Sequence, residues 1–397
     1  MISKKLTRVF LVVLSFVVIT ASILPAGLSI GKNGTADQVE INRAIMDLYL
    51  RGGGTVVLSD GVFIVSDNIF LRTNVNLVGS GNTTIRLHDN ASLGTAGMLR
   101  TVSGASNLIV KNIELDGNKV NQVNHGYEPG TGEEKQFGFY SGEKDNVSDS
   151  IRLENLYVHD FVGYGVDPHQ LTSNLTIIGC TISNNGYDGL TTDGTNYSVF
   201  SNNIIRGNQR HGINIITFSN HNIYENNTVY NNGGDGIVIQ NESFNCTLIN
   251  NIIFSNWGNG VFVSSNYNFI LENEISENQQ SGIKIYGGTN NVVRKNILKH
   301  NSQTRGYSEI YLRASKDSPA SNNVVTENII IASMFSFGIE TDISGPNFIY
   351  NNDIIGSLLS GTYFAKQYNA YYFIPIFFVV ILLICMHYPK TKGEEME

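Results

Sequence analysis

Charged residues, cysteine and proline are all scarce in this 397-residue sequence, which has 3 Cys, 7 Pro and only 15% Asp, Glu, Lys and Arg. The formal net charge is -8 at pH 7, whereas a surface that binds nucleic acid would be basic. The composition therefore argues against a nucleic-acid partner. Apolar residues make up 41% of the chain, which is enough for a hydrophobic core and argues against global disorder.

Each end of the sequence carries a long apolar run. Residues 1–28 combine basic residues, an apolar stretch and small residues, the pattern of a signal peptide or an uncleaved N-terminal anchor. Residues 371–388 would form ~27 Å of helix at ~1.5 Å per residue, enough to span a bilayer. Lysines follow this run, so residues 389–397 are predicted to be a cytoplasmic tail. We therefore expect a single-pass cell-membrane protein whose residues 29–366 are extracellular.

An extracellular chain of this kind could also be glycosylated at N-x-S/T sequons. The candidate acceptors are Asn33, Asn82, Asn90, Asn146, Asn174, Asn196, Asn226, Asn241 and Asn245. We expect a glycoprotein.

A glycine-led apolar segment recurs every 22 to 24 residues in the middle of the chain. Its copies are YGVDPH, DGLTTD, HGINII, DGIVIQ, NGVFVS, SGIKIY and FGIETD, with glycines Gly165, Gly189, Gly212, Gly236, Gly260, Gly282 and Gly338. The last interval is longer, and we interpret residues 302–320 as an insertion. A second column precedes these segments: Asn155, Cys180, Asn203, Asn227, Asn251, Asn273, Asn296, Asn328 and Asn352.

This period predicts a solenoid, because one such coil cannot bury its apolar side without its neighbours. Leucine-rich repeats have a similar period but need a leucine consensus that is missing here. We predict an all-β parallel β-helix with coils of about 23 residues over 29–366, whose Asn column stacks as a ladder of amides. A helix at Asp37 to Leu50 would cap the first coil and cover its open β-edge.

The spacing of coils also bears on the cysteines. Cys180 and Cys246 lie three repeats apart, and Cys385 lies in the C-terminal apolar run. At ~4.8 Å per coil, the first two would be ~14 Å apart, beyond the ~7 Å Cα–Cα limit for a disulfide. We expect no disulfide.

Strand alternation predicts which side chains of each repeat face outward. The first and third residues after each glycine are mostly apolar and should face the core, so the second and fourth should point out. The residues just before the glycines should stack on one another as well. The predicted outer cluster consists of Tyr164, Asp167, His169, Asp188, Asp193, Arg210, His211 and Asn214.

Such a cluster is either an ordinary solvated face or a catalytic site. Carboxylates, phenol, imidazole and guanidinium brought together on one face favour the site. A long shallow β-helix face suits an extended polysaccharide, and an Arg beside Tyr and His suits abstraction of a proton next to a carboxylate. The nearby Arg210 would lower the pKa of the Tyr164 phenol from ~10.

The motifs "YGVDPHQ", "NNGYDGLTTD" and "NQRHGINIIT", with "KQFGFYSG" before them, resemble the catalytic module of the mannuronan (alginate) C5-epimerases. The resemblance covers residues 34–317 and implies the right-handed parallel β-helix of the pectate-lyase-like superfamily. It implies that Tyr164 and His169 form the acid–base pair. It also implies that Asp167, Arg210 and Lys135 handle the substrate carboxylate.

The remaining residues of the cluster would bind substrate or shape the site: Asp188, Asp193, His211 and Asn214. The sequence departs from the family in two respects. A predicted membrane span stands where calcium-binding nonapeptide modules usually follow, and Ser264 stands where a further Lys is usual. Both departures leave the identity of the uronate polymer open.

Three functions remain under consideration. The first is C5-epimerisation of uronate residues, of the mannuronate-to-guluronate type, in an extracellular acidic polysaccharide. The second is a polysaccharide lyase on the same site, and the third is a non-catalytic glycan-binding β-helix. No metal site is predicted, although calcium stays an open alternative because Asp188 and Asp193 offer hard oxygen ligands. We expect a monomer.

Overall fold

The structure, a computed structural model, is described over residues 27–356 and the backbone of 364–366. Within that span, residues 33, 35, 92, 94–95, 123–135, 143–145, 304–306, 334–335 and 343 are not described. Three parallel sheets wind into a right-handed solenoid of about 13 turns. The predicted parallel β-helix is therefore confirmed. Each coil contributes one strand to each sheet in turn, so neighbouring strands in a sheet belong to successive coils.

Sheet A begins with the first described strand and runs the length of the solenoid. Its strands are β1 (Gly27–Ile30), β2 (Gly54–Leu58), β5 (Val75–Gly79), β8 (Ser106–Lys111), β11 (Ser148–Glu154), β15 (Thr176–Ile178), β19 (Val199–Ser201), β22 (Ile223–Glu225), β25 (Thr247–Ile249), β28 (Phe269–Leu271), β31 (Val292–Arg294), β34 (Val324–Thr326) and β37 (Phe348–Tyr350). Two short strands, β14 (Thr172–Ser173) and β18 (Thr195–Asn196), join it beside β11.

Sheet B follows sheet A in each coil. Its strands are β3 (Gly61–Val65), β6 (Thr83–Leu87), β9 (Glu114–Asp116), β12 (Tyr157–His159), β16 (Thr181–Ser183), β20 (Ile204–Arg206), β23 (Thr228–Tyr230), β26 (Ile252–Phe254), β29 (Glu274–Ser276), β32 (Ile297–Lys299), β35 (Ile329–Ile331) and β38 (Asp353–Ile355).

Sheet C contains the glycine-led segments. Its strands are β4 (Ile69–Leu71), β7 (Leu99–Thr101), β10 (Phe139–Ser141), β13 (Val166–Pro168), β17 (Leu190–Asp193), β21 (Ile213–Ile216), β24 (Ile237–Ile239), β27 (Val261–Val263), β30 (Ile283–Tyr286), β33 (Ile310–Arg313), β36 (Ile339–Asp342) and β39 (Phe364–Lys366). Sheet C therefore carries the predicted cluster.

One α-helix is present among the described residues, α1 (Asp37–Leu50), with the bounds that the sequence predicts. Ile41, Ala44, Ile45 and Leu48 lie on its buried face, which packs against β1 to β5. A short 3-10 helix spans Lys119–Asn121. Within the described residues no helix is both long and apolar enough to cross a membrane. The predicted span at 371–388 lies outside those residues, as do residues 1–26 of the predicted N-terminal segment.

The inward face of sheet C is built as predicted. Val166, Leu190, Ile213 and Ile215 are all buried in the continuous core of the solenoid. Glycine recurs before these strands because the coils approach closely there. A Cβ added at Gly165 would lie 2.5 Å from Cγ2 of Ile182 and 2.6 Å from the carbonyl oxygen of Gly189.

Among the described residues, three ladders of buried side chains run along the turns, where the sequence predicted one. The predicted ladder links Cys180 and the asparagines from Asn203 to Asn352. Asn155 was assigned to it wrongly, because the buried position in that coil belongs to Leu156 while Asn155 is exposed at positive φ. A second ladder runs from Asn185 to Asn301, and a third from Ser198 to Asn347.

The long interval between Gly282 and Gly338 contains a complete coil as well as an insertion. Strand β33 pairs with both β30 and β36, which places Glu309 in the glycine column. The interpretation of residues 302–320 as an insertion was therefore wrong in part, since β33 lies within that range. It failed because the residue that marks the coil is Glu309 rather than glycine.

Cys180 and Cys246 are buried free thiols that lie in the first and third ladders.

Candidate active site

The predicted outer row of side chains follows from the strand register. Tyr140 pairs with Asp167 across β10 and β13, Val166 pairs with Leu190 across β13 and β17, and Thr191 pairs with Asn214 across β17 and β21. The outer positions of four successive coils therefore form one row on sheet C. The row carries Tyr140, Asp167, Thr191 and Asn214.

Asp188 is the most enclosed charge in the cluster, with no exposed surface. Its carboxylate accepts hydrogen bonds from Nε and Nη2 of Arg210, the former at 2.6 Å. It also accepts from the backbone N–H of His211 at 2.9 Å, Nδ2 of Asn214 at 3.0 Å and the hydroxyl of Thr191 at 3.1 Å. Both oxygens are thus engaged, so Asp188 serves Arg210 rather than a calcium ion.

Arg210 is held rigidly by Asp188 on one edge and by aromatic rings on its face. Its guanidinium carbon lies 3.8 Å from the ring centroid of Tyr187 and 5.7 Å from that of Tyr164. Burial opposes the charge of Arg210, but the hydrogen bonds and charge of Asp188, together with the two phenols, outweigh it and raise the pKa of Arg210 above its ordinary value. The guanidinium is therefore a fixed positive charge, and its Nη1 makes no hydrogen bond to the residues that the structure describes.

Tyr164 lies deeper than strand alternation alone predicts. Its residue is only 5% exposed, because its ring packs edge-on between Phe137 and Tyr187, each with a centroid distance of 4.9 Å. Asp167 is buried too. Both residues belong to the predicted outer cluster, but side chains of neighbouring coils and turns cover them.

His169 is the accessible member of the predicted acid–base pair, with 31% of its side chain exposed. Its Nε2 lies 3.3 Å from Oδ2 of Asp193 and 3.6 Å from Oδ2 of Asp167. The ring also packs beside that of Tyr140, with centroids 5.2 Å apart. A proton carried at Nε2 would face two carboxylates, which is a suitable setting for proton transfer.

His211 is fixed in one tautomer. The backbone N–H of Asp235 donates to its Nδ1 at 3.0 Å, so Nδ1 is the acceptor and the ring proton is on Nε2. The 3.7 Å approach of the Asp235 carboxylate to the same nitrogen is too long for a hydrogen bond. His211 therefore presents an Nε2–H donor.

The structure brings together every predicted site residue that it describes; Lys135 lies outside the described residues. Asn214 is bound on both sides, because its amide also accepts from Nε2 of Gln240 at 3.1 Å. Sequence reasoning missed Tyr140, Tyr187 and Asp235. The sequence did contain a signal for Tyr187: it lies two residues before Gly189, just as Arg210 lies two residues before Gly212.

Three possible metal ligands lie close together on sheet B, away from the candidate site. Asp116, His159 and Asp160 can bring three ligand atoms within 4.8 Å of one another. These groups already have partners, however: Nδ1 of His159 lies 2.7 Å from the carboxylate of Asp160, and Arg86 pairs with Asp116 at 2.9 Å. This cluster is therefore a network of ion pairs and hydrogen bonds.

The outer face of this parallel β-helix thus holds a phenol, an imidazole and a fixed guanidinium close together, which is the set of groups expected of an acid–base site with a bound anion. The chain matches the model of the family described as right handed beta helix region over residues 135–273 and 259–372. The chain belongs to this family.

Known proteins of two kinds are similar to it. Mannuronan C5-epimerase AlgE3 of Azotobacter vinelandii is 34% identical over 206 residues, which is 48% of this chain and 10% of that protein. Alginate lyase 7 of the same organism is 32% identical over 203 residues, 48% of this chain and 22% of that protein. The chain thus spans a small part of the curated relatives it matches.

A solved structure covers more of the chain. The A-module of Azotobacter vinelandii mannuronan C-5 epimerase AlgE4 has a TM-score of 0.76 and 28% identity, covering 84% of this chain and 98% of that module. The resemblance drawn from the sequence motifs is confirmed by both comparisons.

Proposed function

We propose that this chain is a polyuronate C5-epimerase that converts mannuronate-type residues to guluronate-type residues within an acidic polysaccharide. The observation that carries the proposal is the setting of His169 between Asp167 and Asp193, on the same outer face of sheet C as Tyr164 and the fixed charge of Arg210. The epimerases among the similar proteins support the same reaction.

The reaction needs two proton carriers on opposite faces of the sugar and a cation at its carboxylate. One of Tyr164 and His169 takes the proton from C5, and the electron pair left behind is delocalised into the C6 carboxylate. The other group then delivers a proton to the opposite face of C5, which inverts the centre and leaves the polymer intact. Nη1 of Arg210 stabilises the charge that builds up on the carboxylate.

A lyase is the second candidate, favoured by the similarity to an alginate lyase. It shares the abstraction of the C5 proton. The electron pair then forms a C4=C5 double bond, the C4–O bond breaks, and the acid protonates the leaving oxygen. The two reactions differ only in where the acid delivers its proton, so Tyr164 and His169 serve either one.

Positive side chains line sheet C on both sides of the cluster. Arg100 lies over the ring of Tyr140 at 4.8 Å, and Lys284 lies 5.8 Å from the ring centroid of Phe262. Arg313 continues the series one coil further, beyond Lys284. A polyanion laid along the axis would meet these charges in turn, which supports a polymeric uronate as substrate.

The surroundings of the enzyme are part of the proposal. Residues 371–388 would anchor the solenoid outside the cell, α1 would cap its first coil, and the chain would act as a monomer. Most described sequons are exposed, including Asn226 and Asn241. Nδ2 of Asn174 donates to the carboxylate of Asp149 at 2.6 Å, and Nδ2 of Asn196 donates to the carbonyl oxygen of Gly194 at 3.1 Å, so we expect these two sequons to stay unmodified.

Proton NMR of polyuronates incubated with the full-length protein in D₂O tests the reaction. Deuterium at C5 of an intact chain is the expected result and identifies the sugar. New H4 signals of an unsaturated sugar would assign the chain as a lyase. Binding of the polymers without either change would assign it as a glycan-binding protein.

A further inference from the structure

A second recess lies at the edge of sheet C, where β13, β17 and β21 end and the chain turns toward sheet A. This edge cleft has a volume of about 690 Å³, and its lining includes Leu171, Tyr197, Phe218 and His221. Leu171, Tyr197 and His221 come from three successive coils. At ~4.8 Å per coil, the cleft extends at least ~10 Å along the solenoid axis.

The cleft displays aromatic rings to solvent. Tyr197 is 62% exposed and Phe218 is 54% exposed. The rings of Tyr197 and His221 stack with centroids 5.0 Å apart and only 1° between their planes. The two rings therefore stack face to face across successive coils, and the high exposure of Tyr197 leaves its other face open as a platform. Burying this much aromatic surface against a ligand would be favourable.

The backbone around these rings is held at an energetic cost. Tyr197, Thr217, Phe218 and His221 have φ values of 52°, 53°, 58° and 59°. Asparagine supplies many of the other positive-φ positions in this chain and tolerates that conformation readily, whereas aromatic and β-branched residues do not. Such strain clusters at functional sites, where the retained side chains serve a ligand.

A short asparagine ladder fixes the platform in place. Oδ1 of Asn196 accepts from the backbone N–H of Asn220 at 2.8 Å. Oδ1 of Asn220 accepts in turn from the backbone N–H of Phe244 at 2.6 Å. The turns that carry Tyr197 and Phe218 are thus tied to the following coil. The platform is organised before any ligand arrives, which lowers the entropic cost of binding.

The chemistry of the lining selects a sugar. None of the described residues that line the edge cleft is Asp, Glu, Lys or Arg. The lining instead combines aromatic faces with neutral hydrogen-bonding groups, such as Gln170 and Thr217. A pyranose has C–H groups on its faces and hydroxyls around its edge, so it matches both kinds of group.

Continuity with the catalytic face identifies which sugar. Gln170 follows His169 directly, and Gly194 follows Asp193 directly, so the cleft begins where the acid–base site ends. We infer that the edge cleft is a second sugar-binding site, which stacks another pyranose of the same polysaccharide on the open face of Tyr197, with His221 packed behind that ring. This inference rests on the proposed function and extends it. Charged side chains on sheet C would bind the uronate carboxylates, and the aromatic cleft would bind the ring of a pyranose.

The test compares Tyr197→Asn with Tyr267→Asn in the full-length protein, produced without N-glycosylation. Tyr267 is a matched control, because it is 53% exposed with a φ of 59° but lies outside the cleft. Turnover is measured with oligomannuronates of two to eight sugars, and Tm is measured for each variant. Asparagine removes the ring and relieves the positive φ, so neither substitution should lower Tm.

The expected result is a KM about tenfold higher for the octamer in Tyr197→Asn, the usual scale for a lost aromatic stacking contact. The KM for the shortest oligomer that reacts, and kcat, should be unchanged, and Tyr267→Asn should match the wild type. If the KM of Tyr197→Asn is unchanged at every oligomer length and turnover is intact, the proposed sugar site in the edge cleft is overturned. The proposed reaction would still stand.

Calorimetric titration of the octamer separates the remaining outcomes if no oligomannuronate is turned over. Binding that Tyr197→Asn weakens, and Tyr267→Asn does not, would keep the cleft as a glycan site while the proposed reaction fails. Equal binding by all three proteins, or no binding by the wild type, would overturn the cleft.

Discussion

The coils of sheet C share one backbone but differ sharply in what they carry on the outside. In the coils of β13, β17 and β21 the outer row holds Asp167, Thr191 and Asn214, and a buried carboxylate beside it anchors Arg210. In the next two coils the same row holds Val238 and Phe262. The stacked turns and inner face continue unchanged through both regions. The scaffold therefore repeats, while the chemistry occupies a short stretch of it.

Breaking the ion pair between Asp188 and Arg210 should have the largest effect on stability and turnover. Asp188→Asn would leave Arg210 partly buried without its counter-charge, and loss of one partner from a buried ion pair costs about 3–5 kcal/mol. Urea unfolding should show this loss, together with loss of turnover. The matched control is Asp342→Asn, because Asp342 pairs with the exposed Arg313 at 3.8 Å and should cost less than ~1 kcal/mol. Equal losses in the two variants would contradict the account.

The late coils contain their own buried acid, which should make stability depend on pH. Burial raises the pKa of Glu309 to about 7, although its bond from Nδ2 of Asn301 at 2.7 Å partly opposes this. The folded state thus holds this proton more tightly than the unfolded state, whose pKa is near 4.5. The free energy of unfolding should fall by up to ~3 kcal/mol as pH rises from about 4.5 to about 7.

Glu309→Gln should remove most of that decline, as measured by urea unfolding at several pH values. Glu277→Gln, at an exposed position, is the control and should keep the decline of the wild type. A Glu309→Gln profile with the same slope as the wild type would show that Glu309 is ionised normally in the folded protein.

The turns common to both regions should be sensitive to loss of one ladder amide. Nδ2 of Asn227 donates to Phe200 and to Asn251, and its Oδ1 accepts from Asn203. Asn227→Ala should therefore cost about 2–3 kcal/mol, through partners left unsatisfied in the interior. It should leave kcat unchanged in protein that stays folded. Asn226→Gly, one residue away at an exposed positive-φ position, should change stability by less than ~1 kcal/mol.

The smallest effect is expected from the outer row of the late coils. Lys284 is half-buried beside Phe262, and burial lowers its pKa. Lys284→Gln should barely change the urea midpoint but should weaken polyuronate binding by a few fold, with a shallower dependence on salt. Lys295→Gln removes a cation outside sheet C and should leave the affinity unchanged. Equal weakening by both substitutions would show that only net charge matters.

The fold was largely predictable because each structural requirement recurs in the sequence. Glycine marks close approach between coils, and asparagine marks a stacked turn, so the register of β13, β17 and β21 followed directly. The coil at β33 was hidden because Glu309 replaces glycine and an insertion lengthens the interval. Asn155 was misplaced by one residue, since an exposed Asn at positive φ and a ladder Asn look alike in sequence.

The sequence could predict which residues lie at the candidate site, but not how deeply each of them is buried. Strand alternation placed Asp167 and His169 on the outer face, yet it could not show that the aromatic rings of Phe137 and Tyr187 enclose Tyr164. Nor could it show that Arg210 is anchored by a fully buried Asp188. Such contacts join neighbouring coils and turns, and periodicity alone does not report how side chains meet across them.

The most direct test of the central claim is deuterium incorporation at C5 of polymannuronate by Tyr164→Phe, compared with Tyr230→Phe. Tyr230 lies on sheet B, stacked on Phe254 with centroids 4.8 Å apart, so its variant loses a phenolic oxygen remote from the proposed site. The account predicts that Tyr230→Phe exchanges deuterium at the wild-type rate, and that folded Tyr164→Phe slows exchange by ~100-fold or more. Exchange at the wild-type rate by Tyr164→Phe would remove Tyr164 from the acid–base pair and contradict the mechanism.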